Sequence, residues 1–249
     1  MWLALLFAAT GASGDLSNQV TLDPPNVLSG VAKNRLGFGI GLLPASANTS
    51  ALVTAEANYE LRLGKRYIVG LGAKLVSSPV QVSRAEGKVF QITPLTASID
   101  AILYEASWGR FLAGGDVFLP TFVRHTRYDS LGGEHQFDEL WVGTEGRVQQ
   151  VFRLWRGGEA AVTIPLQVHL ASAATTRAAV IAIGGRVEIR QRLNIAVLFA
   201  RVETMFRWSS DHASTALGSG GEQWTPFDLT PITGSIWRPA MTLGVKIDL

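Results

Sequence analysis

WRPAMTLGVKIDL, residues Trp237 to Leu249, alternates from its first residue to its last. Trp237, Pro239, Met241, Leu243, Val245, Ile247 and Leu249 share one face of an extended strand; Arg238, Ala240, Thr242, Gly244, Lys246 and Asp248 share the other. A soluble sheet buries such an apolar face in a core. A barrel that crosses a membrane turns it to lipid and keeps the polar face inside, over about 9–11 residues per crossing. The two environments make different demands on the rest of the chain.

Upstream, the same two-residue period recurs. Leu36, Phe38, Ile40 and Leu42 alternate with Arg35, Gly37, Gly39 and Gly41, and the next strand sets Val53, Ala55, Ala57, Tyr59, Leu61 and Leu63 against Glu56, Asn58, Glu60 and Arg62. Further strands are expected from Arg66 to Val76, Lys88 to Tyr104, Gly109 to Val123, Glu139 to Trp155, Ala160 to Leu170 and Arg177 to Arg190. In the fifth of these eight, Phe111, Ala113, Val117, Leu119 and Val123 keep one phase around Asp116. A tight turn at Gln191-Arg192 leads to Leu193, Ile195, Val197 and Phe199, after which Arg201, Glu203 and Arg207 take the apolar parity; a β-bulge near Ala200 accounts for the flip. The last strand is expected from about Gly234 to Leu249. About ten strands result, an even number as such barrels require.

The links sort by length. Gly64-Lys65, Glu105 to Trp108, Arg156 to Glu159 and Gln191-Arg192 are short, and they alternate with Pro44 to Asn48, Ser77 to Gly87, Arg124 to Asp138, Ala171 to Thr176 and Ser209 to Thr233. A soluble sandwich has no reason to sort its loops by end. The expected fold is an all-β, up-and-down antiparallel transmembrane barrel over residues 33–249.

Composition agrees. Hydrophobic residues make up 47% and charged residues 17% of the 249, with no apolar run long enough to span as a helix. There is no cysteine, which removes disulfides and thiolate chemistry, and the net charge of +2 is too small to argue for nucleic acid. The apolar run Trp2 to Ala9 followed by Ala12-Ser13-Gly14 reads as a secretory signal over residues 1–14, cleaved near Gly14, with a lead-in over 15–32.

On this assignment the interior is lined by Glu56, Glu60, Arg62, Lys74, Asp100, Asp116, Glu145, Arg147, Arg153, Arg186, Glu188, Arg190, Arg201, Glu203, Arg238 and Lys246. A dry core does not tolerate so many ions, but a wet or mutually neutralised one does. The near balance of sign favours a salt-bridged plug or a narrow water path over an ion-selective ring. Tyr67, Trp108, Phe122, Trp208 and Trp237 fall near strand ends, as interfacial girdles do, whereas Trp141 and Trp155 fall in the inward phase.

In this alternation of strands and link lengths, the chain resembles bacterial outer-membrane β-barrel proteins. Those proteins end in a signal of polar, any, Gly, any, any, hydrophobic, any, hydrophobic, and Thr242, Gly244, Ile247 and Leu249 match that spacing, with Leu249 where the family usually carries Phe. The resemblance implies outer-membrane lipid, lipopolysaccharide and the barrel assembly machinery as partners, a monomer, and a structural or narrow passive-channel role. An adhesin or receptor working through the long loops is the alternative. A hydrolase is a lesser one: Asp211, His212, Ser214 and Glu222 resemble parts of the sites of outer-membrane proteases and lipid A deacylases, without the residues that flank those motifs. A non-enzymatic protein is favoured, and no cofactor or metal site is expected, since His125, His135 and His169 are scattered.

Overall fold

The computed structural model describes residues 34–44, 51–78, 88–128, 131–172, 177–210, 216–217, 223–224 and 239–249. The expected leader and lead-in, with Trp237, Arg238, Asp211, His212, Ser214 and Glu222, lie outside these residues. The strands in order are β1 (Asn34–Leu43), β2 (Leu52–Leu63), β3 (Tyr67–Ser77), β4 (Lys88–Ala106), β5 (Gly109–Tyr128), β6 (Glu134–Trp155), β7 (Gly158–Ser172), β8 (Arg177–Leu193), β9 (Ala196–Ser210), β10 (Ala216–Leu217), β11 (Gln223–Trp224) and β12 (Ala240–Asp248).

Ten of them form a closed antiparallel barrel in which each strand pairs with its neighbour in sequence and β12 closes on β1. β10 and β11 form a separate small hairpin within the stretch expected to be one long loop. The closure register sets Arg35 opposite Asp248 and Gly39 opposite Gly244, so the wall has no free edge.

Alternation has the sense expected of a membrane wall. Ile40, Leu71, Ile99, Ile164, Ile189 and Leu243 are exposed on the outside, while Arg35, Glu145, Glu188, Thr242 and Lys246 are buried inside. Apolar side chains exposed on every wall strand exceed the patches a soluble monomer carries. Tyr104, Trp108 and Phe152 stack in a row near the short-turn end, with ring centroids 5.9 Å and 6.3 Å apart.

Several local expectations need correction. β5 and β6 remain paired out to Tyr128 and Glu134, so the link expected from Arg124 to Asp138 is mostly strand. The β8–β9 turn is Asn194-Ile195, not Gln191-Arg192; Asn194 has φ 58°, a left-handed conformation that asparagine adopts more readily than most residues. Moving the turn removes the need for a bulge near Ala200, and the β8–β9 register runs unbroken from Leu193↔Ala196 to Ala179↔Ser210. Val197 and Phe199 are buried and share the inward face with Arg201 and Glu203.

Bulges occur elsewhere, on β4 and β5 beside Pro94 and Pro120, and at Leu103 and Leu154. Proline has no N–H to give the ladder, so the chain gains a residue there and its phase inverts. Val123 is therefore buried and not outward with Val117, and Trp155 is exposed and not inward, next to Leu154 on the outer face. Trp141 is buried. Pro165 interrupts the β7–β8 pairing between Thr163↔Arg186 and Leu166↔Ile183 without shifting the register.

Candidate functional site

A wall of ten strands encloses a space narrow enough for side chains to cross. The inward alternation of β6 places Glu145 and Arg147 in that space, and β8 places Arg186, Glu188 and Arg190 there. At mid-height the cations are shared among several acids. Arg147 reaches Asp100 at 2.8 Å, Glu145 at 3.4 Å and also Asp116. Arg186 reaches Glu203 at 2.6 Å and Glu145 at 3.2 Å. Gln167 donates to Glu145 at 2.7 Å, leaving that carboxylate 1% exposed and its lone pairs well occupied.

Toward the short-turn end each acid holds two cations, and Arg35, Arg190 and Arg201 are each shared in turn by two acids. Asp248 takes Arg35 at 2.7 Å and Arg192 at 2.6 Å, and Glu60 takes Lys246 at 2.9 Å with Arg35 at 3.9 Å. Glu159 lies 3.4 Å from Arg110 and 3.7 Å from Arg190, and Glu105 lies 3.6 Å from both Arg62 and Arg153. Glu188 pairs with Arg190 and with Arg201 at 3.8 Å, and Arg201 also meets Glu56. Lys74 stands opposite Glu56 in the β2–β3 register and lines the cavity at that height.

Apolar layers flank the ions. Near the long-link end, Leu43, Leu52, Val76 and Val89 cluster inside, as do Val123, Trp141 and Val180, and the Trp141 Nε1 donates to Glu139 at 2.8 Å. A further apolar cluster, Ile102, Leu112, Val151 and Ala161, lies among the ions, between the mid-height pairs and those of Glu105, Arg110 and Glu159 nearer the short turns.

Among the described residues, cavities of about 220 Å³ and 210 Å³ are both lined by Asn58, Gly72, Thr96, Asp116, Arg186 and Arg201. Their common wall places them end to end beside β2, β3 and β4. At about 30 Å³ per water each holds roughly seven. The space exists because the wall there is small: a Cβ at Gly72 would meet nothing nearer than 3.4 Å, whereas one at Gly39 would press on Glu56 and Thr242 at 3.0 Å. His169 lines the second cavity and stacks on Phe118 at 5.4 Å.

The structure thus brings fifteen of the sixteen residues expected to line the interior into ion pairs or cavity walls, Arg238 lying outside the described residues. It adds Arg35, Arg110, Glu159, Arg192 and Glu139. Arg110 and Glu159 share parity with Leu112 and Ala161, and that apolar company masked their direction. Arg192 was hidden by the misplaced turn. The residues of the hydrolase reading lie outside the described residues. Among the described residues no group of acids and histidines is arranged to hold a metal ion.

Above the apolar band, the outer faces of β5 and β6 turn polar. Arg124 and Asp138 pair at 2.7 Å with Arg124 over the Phe122 ring, and the guanidinium holds the Asp138 carboxyl below the usual carboxylate range.

No protein-family model matches the chain, and no curated protein matches it. Among solved structures, the β domain of the Bordetella autotransporter BrkA is similar, with 8% identity, 88% of this chain and 100% of that chain covered, and a TM-score of 0.47. OmpT, an outer-membrane protein of Vibrio cholerae folded in vitro in a trimer form, gives 8% identity over 86% of this chain and 97% of that one, at a TM-score of 0.22. The closed ten-stranded antiparallel wall, apolar outside and charged inside, is the architecture of outer-membrane β-barrels.

Proposed function

We propose that the protein resides in a bacterial outer membrane as an integral barrel, with its short turns in the periplasm and its long links outside, and that its interior admits at most a thin file of water. One observation carries this reading: ion pairs between neighbouring and next-but-one strands fill the interior from Arg35–Asp248 to Arg186–Glu145. Such pairs are tolerable where lipid lies outside and neighbouring charges compensate inside. An open porin instead leaves its lumen to water. Export by the leader at residues 1–14, folding by the barrel assembly machinery and a monomeric state belong to the same proposal, as do contacts of the outer face with lipid and lipopolysaccharide. The role is that of a wall element and narrow passive channel.

Planar-bilayer recording of refolded protein tests this. The expected result is single-channel steps at least tenfold smaller than those of a general porin in the same bilayer, or none, with larger steps after Arg147→Ala. Porin-sized steps from the unaltered protein would overturn the reading.

A further inference from the structure

One interior carboxylate stands apart from the rest. Among the described residues, every other inward acid has an arginine or lysine beside it, from Glu56 with Arg201 to Asp248 with Arg35. Glu139 has none. It is 4% exposed, and the hydrogen bond its carboxylate receives among the described residues comes from the Trp141 Nε1 at 2.8 Å. Val123 stands opposite it in the β5–β6 register, so the acid sits between Val123 and Trp141, two members of one apolar cluster.

That cluster lies where the water-sized space ends. The cavity of about 210 Å³ is walled by Gln91 and Thr93 of β4 and Thr121 of β5, the buried residues next to Val89 and Val123 on the way to the long links. Beyond them the inward residues turn apolar: Leu43, Leu52, Val76 and Val89 on β1 to β4, and Val123, Trp141 and Val180 on β5, β6 and β8. None of these seven lines either cavity. An apolar constriction closes a water path by dewetting. A neutral carboxyl bonded to Trp141 fits such a layer, whereas a carboxylate there has no cation to replace the hydration it has lost. Of the other titratable or cationic residues at this end of the neighbouring strands, His125 is opposite Phe137 in register, Lys88 opposite Thr126 and Arg207 opposite Ala182, so none is opposite Glu139. His169 lies nearer mid-height, against Phe118 and Gln167, and Arg124 is taken by Asp138 on the outer face.

We propose that this apolar layer is a gate in the water path and that Glu139 is its switch. With the carboxyl protonated the layer is dry and closed. When the proton passes to water, the carboxylate draws water between Val123 and Trp141 and the layer opens. The inference rests on the membrane reading above and adds its regulation: the thin file of water conducts more at high pH than at low.

The test records planar-bilayer currents of refolded full-length protein in potassium chloride from pH 5 to pH 9. The mean current should rise at least threefold over that range. Glu139→Gln, which can still accept from Trp141 but has no proton to lose, should hold the pH 5 current throughout, and His125→Gln should keep the rise. Leu52→Ser, which wets the layer without touching Glu139, should carry at pH 5 the current that the unaltered protein carries at pH 9; with the unaltered protein's own pH series it decides the matter should Glu139→Gln fail to fold. A current that does not change with pH, no current at pH 9, a rise that survives Glu139→Gln or is lost in His125→Gln, or an unchanged pH 5 current in Leu52→Ser would each overturn the gate. The membrane reading fails differently, by porin-sized steps from the unaltered protein, so the two failures are distinguishable.

Discussion

Glu145 shows how much one inward residue can hold together. Its carboxylate receives Arg147, Arg186 and Gln167, joining strands β6, β7 and β8, with the bridge extended to β4 and β5 through Arg147. Removing one partner of a buried ion pair leaves the other charged and uncompensated, at about 3–5 kcal/mol. The adjoining water-sized space lets the arginines relax, so Glu145→Ala is expected to destabilise the folded barrel by about 3 kcal/mol, the lower end of that range. Urea unfolding in lipid vesicles, followed by tryptophan fluorescence, measures it. A loss under about 0.5 kcal/mol, within the range of ordinary surface substitutions, would mean that the network is ornamental to stability. Glu145 was legible as inward because Thr144 and Gly146 flank it in an otherwise regular alternation. Its partner Arg186, two strands away in the wall, was not, since nothing local in a sequence relates Glu145 to an arginine 41 residues away.

At the scale of the element, β12 has two physical reasons for its glycine. In the sequence, Gly244 belongs to the spacing of Thr242, Gly244, Ile247 and Leu249 that resembles an assembly signal. In the structure, a Cβ at Gly244 would collide with the Phe38 carbonyl of β1 and with the Phe199 ring of β9. Phe199 lies flat across the glycine, with Lys246 and Arg201 each 5.7 Å from its ring centre. Overpacking of this kind costs about 1–3 kcal/mol. Gly244→Ala should therefore destabilise already-folded protein by about 2 kcal/mol, and Phe199→Leu should recover part of that loss in the double variant. Strictly additive losses in a double-mutant cycle would deny the contact. Ile247 and Leu249 are free of this overlap, which makes them the cleaner positions for testing the assembly signal in cells.

Elements also mark the limit of sequence reading. The alternation of β1, β2, β7 and β12 is unbroken and could be assigned at sight. β4, β5 and β6 could not be followed to their ends, because one extra residue at Leu103, beside Pro120 or at Leu154 inverts every face beyond it. Val123 and Trp155 changed sides for that reason. On β8 and β9 the error ran the other way: a turn set three residues early created an apparent inversion that the register does not contain.

For the whole molecule, fold and wetting are linked. The apolar exterior is stable only against lipid, and the charged interior only with its ions matched between neighbouring strands, so each side accounts for the other. Architecture was readable because alternation and link length are both local in sequence. The layering of the interior was not, since it depends on which strands face one another once β12 has closed on β1, as in Arg35 with Asp248.

The chain has no cysteine, so a single one can be placed anywhere and labelled. The most direct test of the lipid-facing wall is nitroxide scanning of β12, one position at a time from Met241 to Ile247, in protein refolded into vesicles. Leu243, Val245 and Ile247 should report strong broadening by lipid-soluble oxygen and little by a water-soluble nickel complex, while Thr242 and Lys246 should respond weakly to oxygen. Uniform access to the nickel complex along both faces, or oxygen access without a two-residue period, would contradict the membrane barrel.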